Sequence, residues 1–423
     1  MANKSATWRR VPVVDLCEVH VDCVNRTAPV VSEPTPFKMI RTTNVRNGFI
    51  DTENVRYVTE PVYKKWTRRL VPKRGDVILT REAPLGGVGK VRTDDQIFLG
   101  QRLYHFRADP KKLDADFLLY ALMADDLQGQ IRGFGSGSTV EHMRLGDIPE
   151  LQIYAPDVSE QRRIGAILSA YDELMENSQR RIRLLEAMAR GLYREWFVHF
   201  RFPGHEKHPR VASPLGDIPQ GWEVTTLRAV TTKIGSGATP RGGKDAYKTE
   251  GIHLIRSLNI YDYSFEFDDL AFIDEQQAAE LDNVTVEEND ILLNITGASV
   301  ARCALVLSYL LPARVNQHVA IVRADPAKVS PFYVLDAINS DQRKQQLLAL
   351  AQGGATREAL TKDTVSNFEI VLPPRPLMKR YDAIARGIHK QREVLLRQIQ
   401  NLRRTRDLLL PRLLSGQVNL TTN

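Results

Sequence analysis

Residues 159–200 read SEQRRIGAILSAYDELMENSQRRIRLLEAMARGLYREWFVHF, and a heptad register fits the whole stretch. One seam position runs Ile164, Tyr171, Ser178, Leu185 and Leu192; its partner runs Leu168, Met175, Ile182, Ala189 and Trp196. Only Ser178 is polar. A 3-4 spacing held this long marks a helix that buries a narrow seam against another helix. At 1.5 Å per residue the stretch makes a rod of roughly 60 Å, about three times the mean globular helix. A rod of that length in mid-chain is a spacer.

Its partner lies in the same chain. Residues 380–414 carry a second seam: Tyr381, Ile388, Leu395, Leu402 and Leu409 with Ala385, Arg392, Ile399, Arg406 and Leu413. Tyr381 stands 217 residues after Ile164, and Ile388, Leu402, Leu409 and Leu413 stand 217 after Tyr171, Leu185, Leu192 and Trp196. The second rod is the first repeated. Arg392 and Arg406 weaken it as a dry seam, and Pro411 is expected to loosen its last turn because proline lacks the N–H a helix interior needs.

The repeat extends beyond the rods. RADP at 107–110 recurs at 323–326, GDVIL at 75–79 answers NDILL at 289–293, and IRTTN at 40–44 answers IRSLN at 255–259. FLLY at 117–120 answers FYVL at 332–335, and the start of the chain near Trp8 loosely resembles the stretch after Trp222. Self-similarity over this length means duplication, and duplication means pseudo-twofold geometry. Each half mixes short strands (76–80, 97–99 and 151–154; then 291–295, 304–307 and 320–323) with helical runs at 114–128 and 331–348, a Gly-rich loop (133–139, 352–356), a strand stopped by proline, and a rod. The reading is an α+β chain: two similar mixed α/β domains separated by two long antiparallel coiled-coil helices in a pseudo-twofold repeat. The expected borders are a first globular domain over 1–157, a central rod over 158–202, a second globular domain over 203–374 opened by a linker over 203–221 with four prolines, and a C-terminal rod over 375–423. Antiparallel rods are expected because a parallel pair would oblige the second domain's chain to travel a rod length back.

Composition narrows the class. The 423 residues are 43% apolar and 26% charged, enough for two or three cores and not the profile of a disordered chain. The net charge of +7 leans weakly toward a polyanion partner. Cys17, Cys23 and Cys303 have no disulfide or zinc spacing. No signal-peptide run and no 18-residue apolar window occur, so a cytoplasmic, membrane-free protein is expected.

Two similar domains held apart by two long helices, each half closing on a Pro-bounded strand and a heptad rod, resemble the specificity subunit of type I restriction-modification enzymes. EQRRI at 160–164, running on to Phe197, looks like that family's central segment, and LLPRLLSGQV at 409–418 looks like its closing segment. IGSGATP at 234–240 with GIHLI at 251–255, and VNQHV at 315–319, look like segments of its target-recognition domains. In the first domain NRTAP at 25–29 departs from the G-x-T-P stretch expected there. The resemblance implies a subunit without catalysis or cofactor of its own. Each domain would read one half of a bipartite site on double-stranded DNA. The rods would fix the gap and dock two methyltransferase subunits, to which restriction subunits attach; S-adenosylmethionine, ATP and magnesium would serve those partners.

The residue chemistry accords with that role. Half-site spacing follows from the distance between reading domains, and base edges are read by Arg, Lys, Asn, Gln, Ser or Thr. Candidates in the first domain are Arg41, Asn44, Arg46, Asn47, Arg81, Arg102 and Thr139, with Lys64, Lys65, Arg68 and Arg69 as a phosphate patch that positions without specifying. In the second they are Arg241, Lys244, Arg256, Asn259, Asn294, Thr296, Asn316, Gln317, His318 and Thr356. The arginines on the rods' outer faces suit either solvent or partners, and Trp196-Phe197 reads as a packing anchor.

Catalytic readings fail. LPPR at 372–375 lacks the flanking groups of a methyltransferase run, the Gly133 loop follows a helix rather than a strand, Gly89-Lys90 has no P-loop context, and HEKH at 205–208 is one residue short of a zinc-binding helix motif. The competing class is a structural adaptor joining two protein-binding domains through a coiled coil without DNA. It would carry apolar and aromatic anchors on its loops; these loops are rich in Arg, Asn, Thr and Gly.

Overall fold

A computed structural model describes residues 8–135, 141–352, 358–418 and 420. The chain divides into two compact units, one formed by Met1–Gln179 with Arg397–Asn423 and the other by Arg180–Leu396. Each long helix contributes one half to each unit.

The core of the first unit is an antiparallel sheet in the order Cys17–Asp22, Leu103–Ala108, Val77–Arg81, Leu85–Lys90. Helices Ala115–Met123 and Asp125–Phe134 share its apolar core, through Phe117, Leu118, Leu122, Leu127 and Ile131. A smaller sheet holds Arg56–Tyr57, Phe37–Ile40 and Gln96–Leu99 in that order, with its last two strands parallel. Arg9–Pro12 pairs with Gln152–Ala155 and so ties the described start of the chain to the entry of the first rod.

The second unit is built to the same plan. Its main sheet runs Thr231–Ser236, Val319–Ala324, Ile291–Asn294, Cys303–Leu305, and Glu223–Thr226 pairs with Glu369–Leu372 just before the second rod. The smaller sheet gains one strand, in the order Ala271–Ile273, Ile252–Ile255, Ala313–Val315, Thr285–Val286. In both units the helical run is broken after nine residues, at Ala124 and at Ser340, where the backbone turns extended. The single helices expected over 114–128 and 331–348 are therefore pairs.

The sequence repeats turn out to be two halves of one ion pair. Arg107 of the first RADP run donates through Nε and Nη2 to the two oxygens of Asp76, both at 2.8 Å, and Arg323 does the same to Asp290 at 2.8 Å each. The strand register dictates the pairing, since Phe106 faces Val77 and Val322 faces Ile291. Each carboxylate also accepts a backbone N–H of its own turn, from Lys73 or Glu287. The first unit adds His105, whose Nε2 lies 2.6 Å from Asp76. Burial alone would raise the Asp76 pKa; Arg107 and His105 overcome it and hold the carboxyl down at about 2. A carboxyl depressed on folding contributes stability above its unfolded pKa near 4, and loses it as pH falls from there toward 2. Urea unfolding at pH 7, 4 and 3 should show the first unit losing about 1 kcal/mol by pH 3, the first part of a loss of about 2–3 kcal/mol that completes only below pH 2, and Asp76→Asn should flatten its share of the slope.

The rods are α-helices over Val158–Tyr193, continued by one π turn at Arg194–Val198, and over Arg375–Leu414. Pro411 does not end the second; it stays helical to Leu414. Within the first unit, Ile164 and Leu168 of the first rod share a core with Leu413 and the half-buried Leu409 of the second. Within the second, Trp196 and Phe197 pack on Tyr381, with ring centroids 6.4 and 4.9 Å apart. Early residues of one helix meet late residues of the other, so the helices run antiparallel in both units. Of the seam residues, Leu168, Met175, Ile182, Ile388 and Leu395 are buried, while Leu185, Leu192, Ile399 and Leu402 are half-buried. One position shifts: Tyr171 is half-buried and its neighbour Asp172 takes the fully buried place.

That shift explains the two seam arginines, which do not loosen the pairing as the sequence suggested. Arg406 Nη1 donates to Asp172 at 2.6 Å, and Arg392 Nε donates to Glu186 at 2.8 Å. Both guanidinium groups are nearly inaccessible. A buried charge is tolerable when paired and hydrogen-bonded, and here each cation on one rod has an anion opposite it on the other.

Candidate nucleic-acid interface

The loops that would face a nucleic acid are built around duplicated turns. In each unit the IRxxN run forms a 3₁₀ turn in which Asn44 or Asn259 accepts from the backbone N–H of Arg41 or Arg256, at 2.9 and 3.0 Å. The Asn44 side-chain amide donates to the Asn54 carbonyl at 2.9 Å, and that of Asn259 to the Glu266 carbonyl at 3.1 Å. Arg41 reaches the Asn54 carbonyl through Nη2, and Arg256 reaches the carbonyl of Asp269, thirteen residues on in each case. These two equivalent pairs hold a loop in shape. Asn44 and Asn259 are buried, with their amides committed to the backbone, which accounts for their recurrence without any base contact.

Asn294 is likewise buried and donates to the Ser257 carbonyl at 2.8 Å. Arg81 reaches the Met143 carbonyl at 2.9 Å, and Arg102 pairs with Glu82 at 3.1 Å. Thr296 and His318 share a 2.6 Å hydrogen bond between Oγ1 and Nδ1, and Asn316 accepts from the His318 N–H at 3.2 Å. Exposed Gln317 accepts from Thr239. Close packing fixes this loop cluster: a Cβ on Gly237 would lie 2.2 Å from the Val315 carbonyl oxygen, so only glycine allows the 234–240 run to cross the VNQHV turn. Thr139, Thr356 and the Lys244 side chain lie outside the described residues.

The exposed candidates are Arg46, Asn47, Lys64, Lys65, Arg68, Arg69, Arg102, Arg241 and Gln317. Lys64 pairs with Glu60 at 2.7 Å and Arg69 with Asp22, so the patch on helix Glu60–Trp66 and beyond is partly neutralised. Asn47 and Gly48 both have positive φ, at 54° and 85°, and form the tight turn joining Val45–Arg46 to Phe49–Ile50. Arg46 stands exposed on that hairpin. The equivalent hairpin pairs Ile260–Tyr261 with Ser264–Phe265 and presents Tyr261, with the Arg302 guanidinium 4.3 Å from its ring centroid. Sequence reading missed Arg302 because its stacking partner lies forty-one residues away on another element. The rod arginines Arg162, Arg163, Arg180, Arg181, Arg183, Arg190, Arg194, Arg397, Arg403 and Arg404 are all exposed. Among the described residues no group of three or more His, Cys, Asp or Glu is placed to hold a metal ion, and no helix is long and apolar enough to cross a membrane.

A family model described as the type I restriction modification DNA specificity domain matches residues 6–187. Over those residues the chain is similar to that DNA specificity domain, and the relatives it resembles along most of its length are type I specificity subunits. The MjaIX specificity subunit of Methanocaldococcus jannaschii is 23% identical over 367 residues, spanning 86% of this chain and 82% of that one. The HindI specificity subunit of Haemophilus influenzae is 20% identical over 82% of this chain and 87% of its own. Among solved structures, the type I S subunit of M. genitalium matches with a TM-score of 0.60 at 15% identity over 96% of both chains, a likeness of fold. These names are those of the specificity-subunit family that the sequence resembles.

Proposed function

We propose that this chain is a specificity subunit that reads a bipartite, gapped site on double-stranded DNA, one half with each globular domain, over 1–157 and 203–374. The rods over 158–202 and 375–423 set the gap and dock two methyltransferase subunits, with restriction subunits joining through those; the complex works in the cytoplasm, where the DNA is. The observation that carries this reading is the duplication: two units of one topology, each closed by halves of the same two helices. A duplicated reader on a stiff spacer fits a divided site, because half-site separation is a geometric property of the protein. The exposed Arg46, Lys64, Lys65, Arg68, Arg102, Arg241 and Gln317 supply phosphate and base-edge chemistry. Docking is supported by large apolar side chains on the rods' outer faces: Leu174, Leu184, Met188, Ile384, Val394 and Leu408 are all more than 40% exposed. A helix face that buries its seam and still shows such residues suits a partner helix.

The test is to co-express the chain with the methyltransferase subunit encoded beside its gene and map methylated adenines across the host genome. A two-part motif with one fixed gap is expected. Removing seven residues from each rod shortens it by about 10 Å, so the gap should contract by about three base pairs while both half-sequences persist. Methylation without sequence preference, or failure of the two chains to co-purify, would overturn the reading in favour of the adaptor.

A further inference from the structure

Each unit contains an arginine, half-buried Arg92 in the first and buried Arg392 in the second, that ties the turn of its hairpin to a rod carboxylate, and the two arginines are not equivalents in the repeat. In the first unit Arg92, from the loop after the main sheet's last strand, donates through Nη1 to the Gly48 carbonyl at 2.8 Å and through Nη2 to Asp172 at 3.1 Å. Its guanidinium also lies 4.5 Å from the Phe49 ring centroid. Asp172 is simultaneously held by Arg406 of the second rod, so hairpin, first rod and second rod meet at one carboxylate. The approach is tight: a Cβ on Gly48 would sit 3.5 Å from Asp172 Oδ2 and 3.2 Å from Met123 Sδ.

In the second unit the same junction is made from different residues. Arg392 belongs to the second rod itself; it donates to Glu186 of the first rod and, through Nη2, to the Tyr263 carbonyl. Tyr263 is the turn residue of the equivalent hairpin, with φ of 59° where Gly48 has 85°. The Arg190 guanidinium lies 5.7 Å from the Tyr263 ring centroid, and Asp262 beside it accepts from the Cys303 N–H at 3.0 Å and from Lys344. The arginine comes from the globular part in one unit and from a rod in the other. Yet the connection is the same: turn carbonyl, guanidinium, rod carboxylate. Inheritance of one ancestral residue does not explain this, because position 92 and position 392 do not superpose in the repeat; a shared mechanical requirement does.

We propose that Arg92 and Arg392 are positioning residues for DNA recognition, each locking its unit's hairpin to the rods so that the hairpin's place along the helix axis is fixed. The inference rests on the bipartite reading above. A guanidinium suits this role because it is planar, always charged, and able to hold a carbonyl and a carboxylate at once at fixed angles, which a lysine ammonium on a flexible stem does not enforce. The hairpins carry exposed Arg46 in one unit and Tyr261 beside Arg302 in the other. A hairpin free to slide would present those side chains at variable positions along the DNA while leaving their chemistry untouched.

Arg92→Met and Arg392→Met remove the bridge and keep the apolar stem. Asp172 retains Arg406 and Tyr120 in the first variant, and Glu186 is partly solvated in the second. Each variant, and both together, is co-expressed with the methyltransferase subunit and its methylated sites mapped genome-wide. We expect both half-sequences to persist while sites whose gap is one base pair longer or shorter rise at least tenfold above their wild-type level, most in the double variant. Arg92→Lys and Arg392→Lys keep the charge without the two-way fork and should broaden the gap less; they carry the measurement if a methionine variant does not fold. A gap distribution unchanged from wild type in folded variants would overturn the proposal, as would a changed half-sequence at a fixed gap, which would make these residues supports for base reading. Absence of any two-part motif with the wild-type chain would instead defeat the underlying bipartite reading.

Discussion

Asp172→Ala is expected to destabilise the first unit by about 3–5 kcal/mol, the usual cost of removing one partner from a buried ionic network. The carboxylate is fully buried and accepts three bonds: from Tyr120 Oη at 2.8 Å, Arg406 at 2.6 Å and Arg92 at 3.1 Å. Alanine removes an acceptor from all three donors. Arg406 falls back on Asp407, which is half in solvent, and the Tyr120 hydroxyl, in a fully buried side chain, loses the acceptor it has in Asp172. Arg406→Met should cost much less, about 1–2 kcal/mol, because Asp172 keeps Arg92 and Tyr120. The asymmetry is the informative result. Urea unfolding of both variants, read through a probe in the first unit, measures it; equal losses, or a loss below about 1 kcal/mol for Asp172→Ala, would mean that the network is wetter than its burial indicates.

The rods, the duplication and the antiparallel pairing were legible in the sequence because each is a periodic or repeated signal over many residues. Asp172 was not. Heptad reasoning assigns the buried place to Tyr171, and an acid beside an apolar seam position reads as solvated. What makes Asp172 internal is Arg406, 234 residues later. In antiparallel helices the partner level follows only from knowing the direction and register of both. Arg392 and Arg406 were visible as anomalies, and two cations on an otherwise apolar seam are a request for two anions; with the pairing direction fixed, Asp172 and Glu186 are the acids at the matching levels.

The candidate site was legible in kind and less so in detail, for a different reason. Repetition of Arg41-x-x-Asn44 as Arg256-x-x-Asn259 draws attention to those residues, yet recurrence across the two halves marks what both halves must share. On the bipartite reading proposed above, two domains that read different half-sites share their loop scaffolds, not their reading residues. The buried Asn amides and the Arg107–Asp76 and Arg323–Asp290 pairs are such scaffolds. Side chains that differ at equivalent places, such as Arg46 against Tyr261, are where discrimination is expected, and a single sequence signals that only after the scaffold has been recognised and set aside.

The second unit should show the opposite response to pH from the first. Asp336 is fully buried on helix Pro331–Asn339; burial pushes its pKa up to about 7, against the pull of the Tyr381 and Tyr263 hydroxyls and of Arg190. Tyr381 donates to one carboxyl oxygen of Asp336. Tyr193 and Tyr333 close the surroundings, both with raised pKa through burial first, so they stay neutral throughout the range. A carboxyl raised on folding is protonated in the folded state between its unfolded pKa near 4 and about 7, and the folded state then binds the extra proton. Stability is therefore full below about pH 4 and declines as pH rises toward about 7. A rise of about three units corresponds to a loss on the order of 4 kcal/mol across that window. Asp336→Asn keeps an acceptor for Tyr381 and removes the titration. The unfolding free energy of the second unit should fall steeply from pH 4 to 8 in the native chain and stay level in the variant, with the variant at least as stable at pH 8. A slope that persists in Asp336→Asn would assign the titration to another group and leave Asp336 ionised within the core, in which case the variant should instead be the less stable protein at every pH above 5.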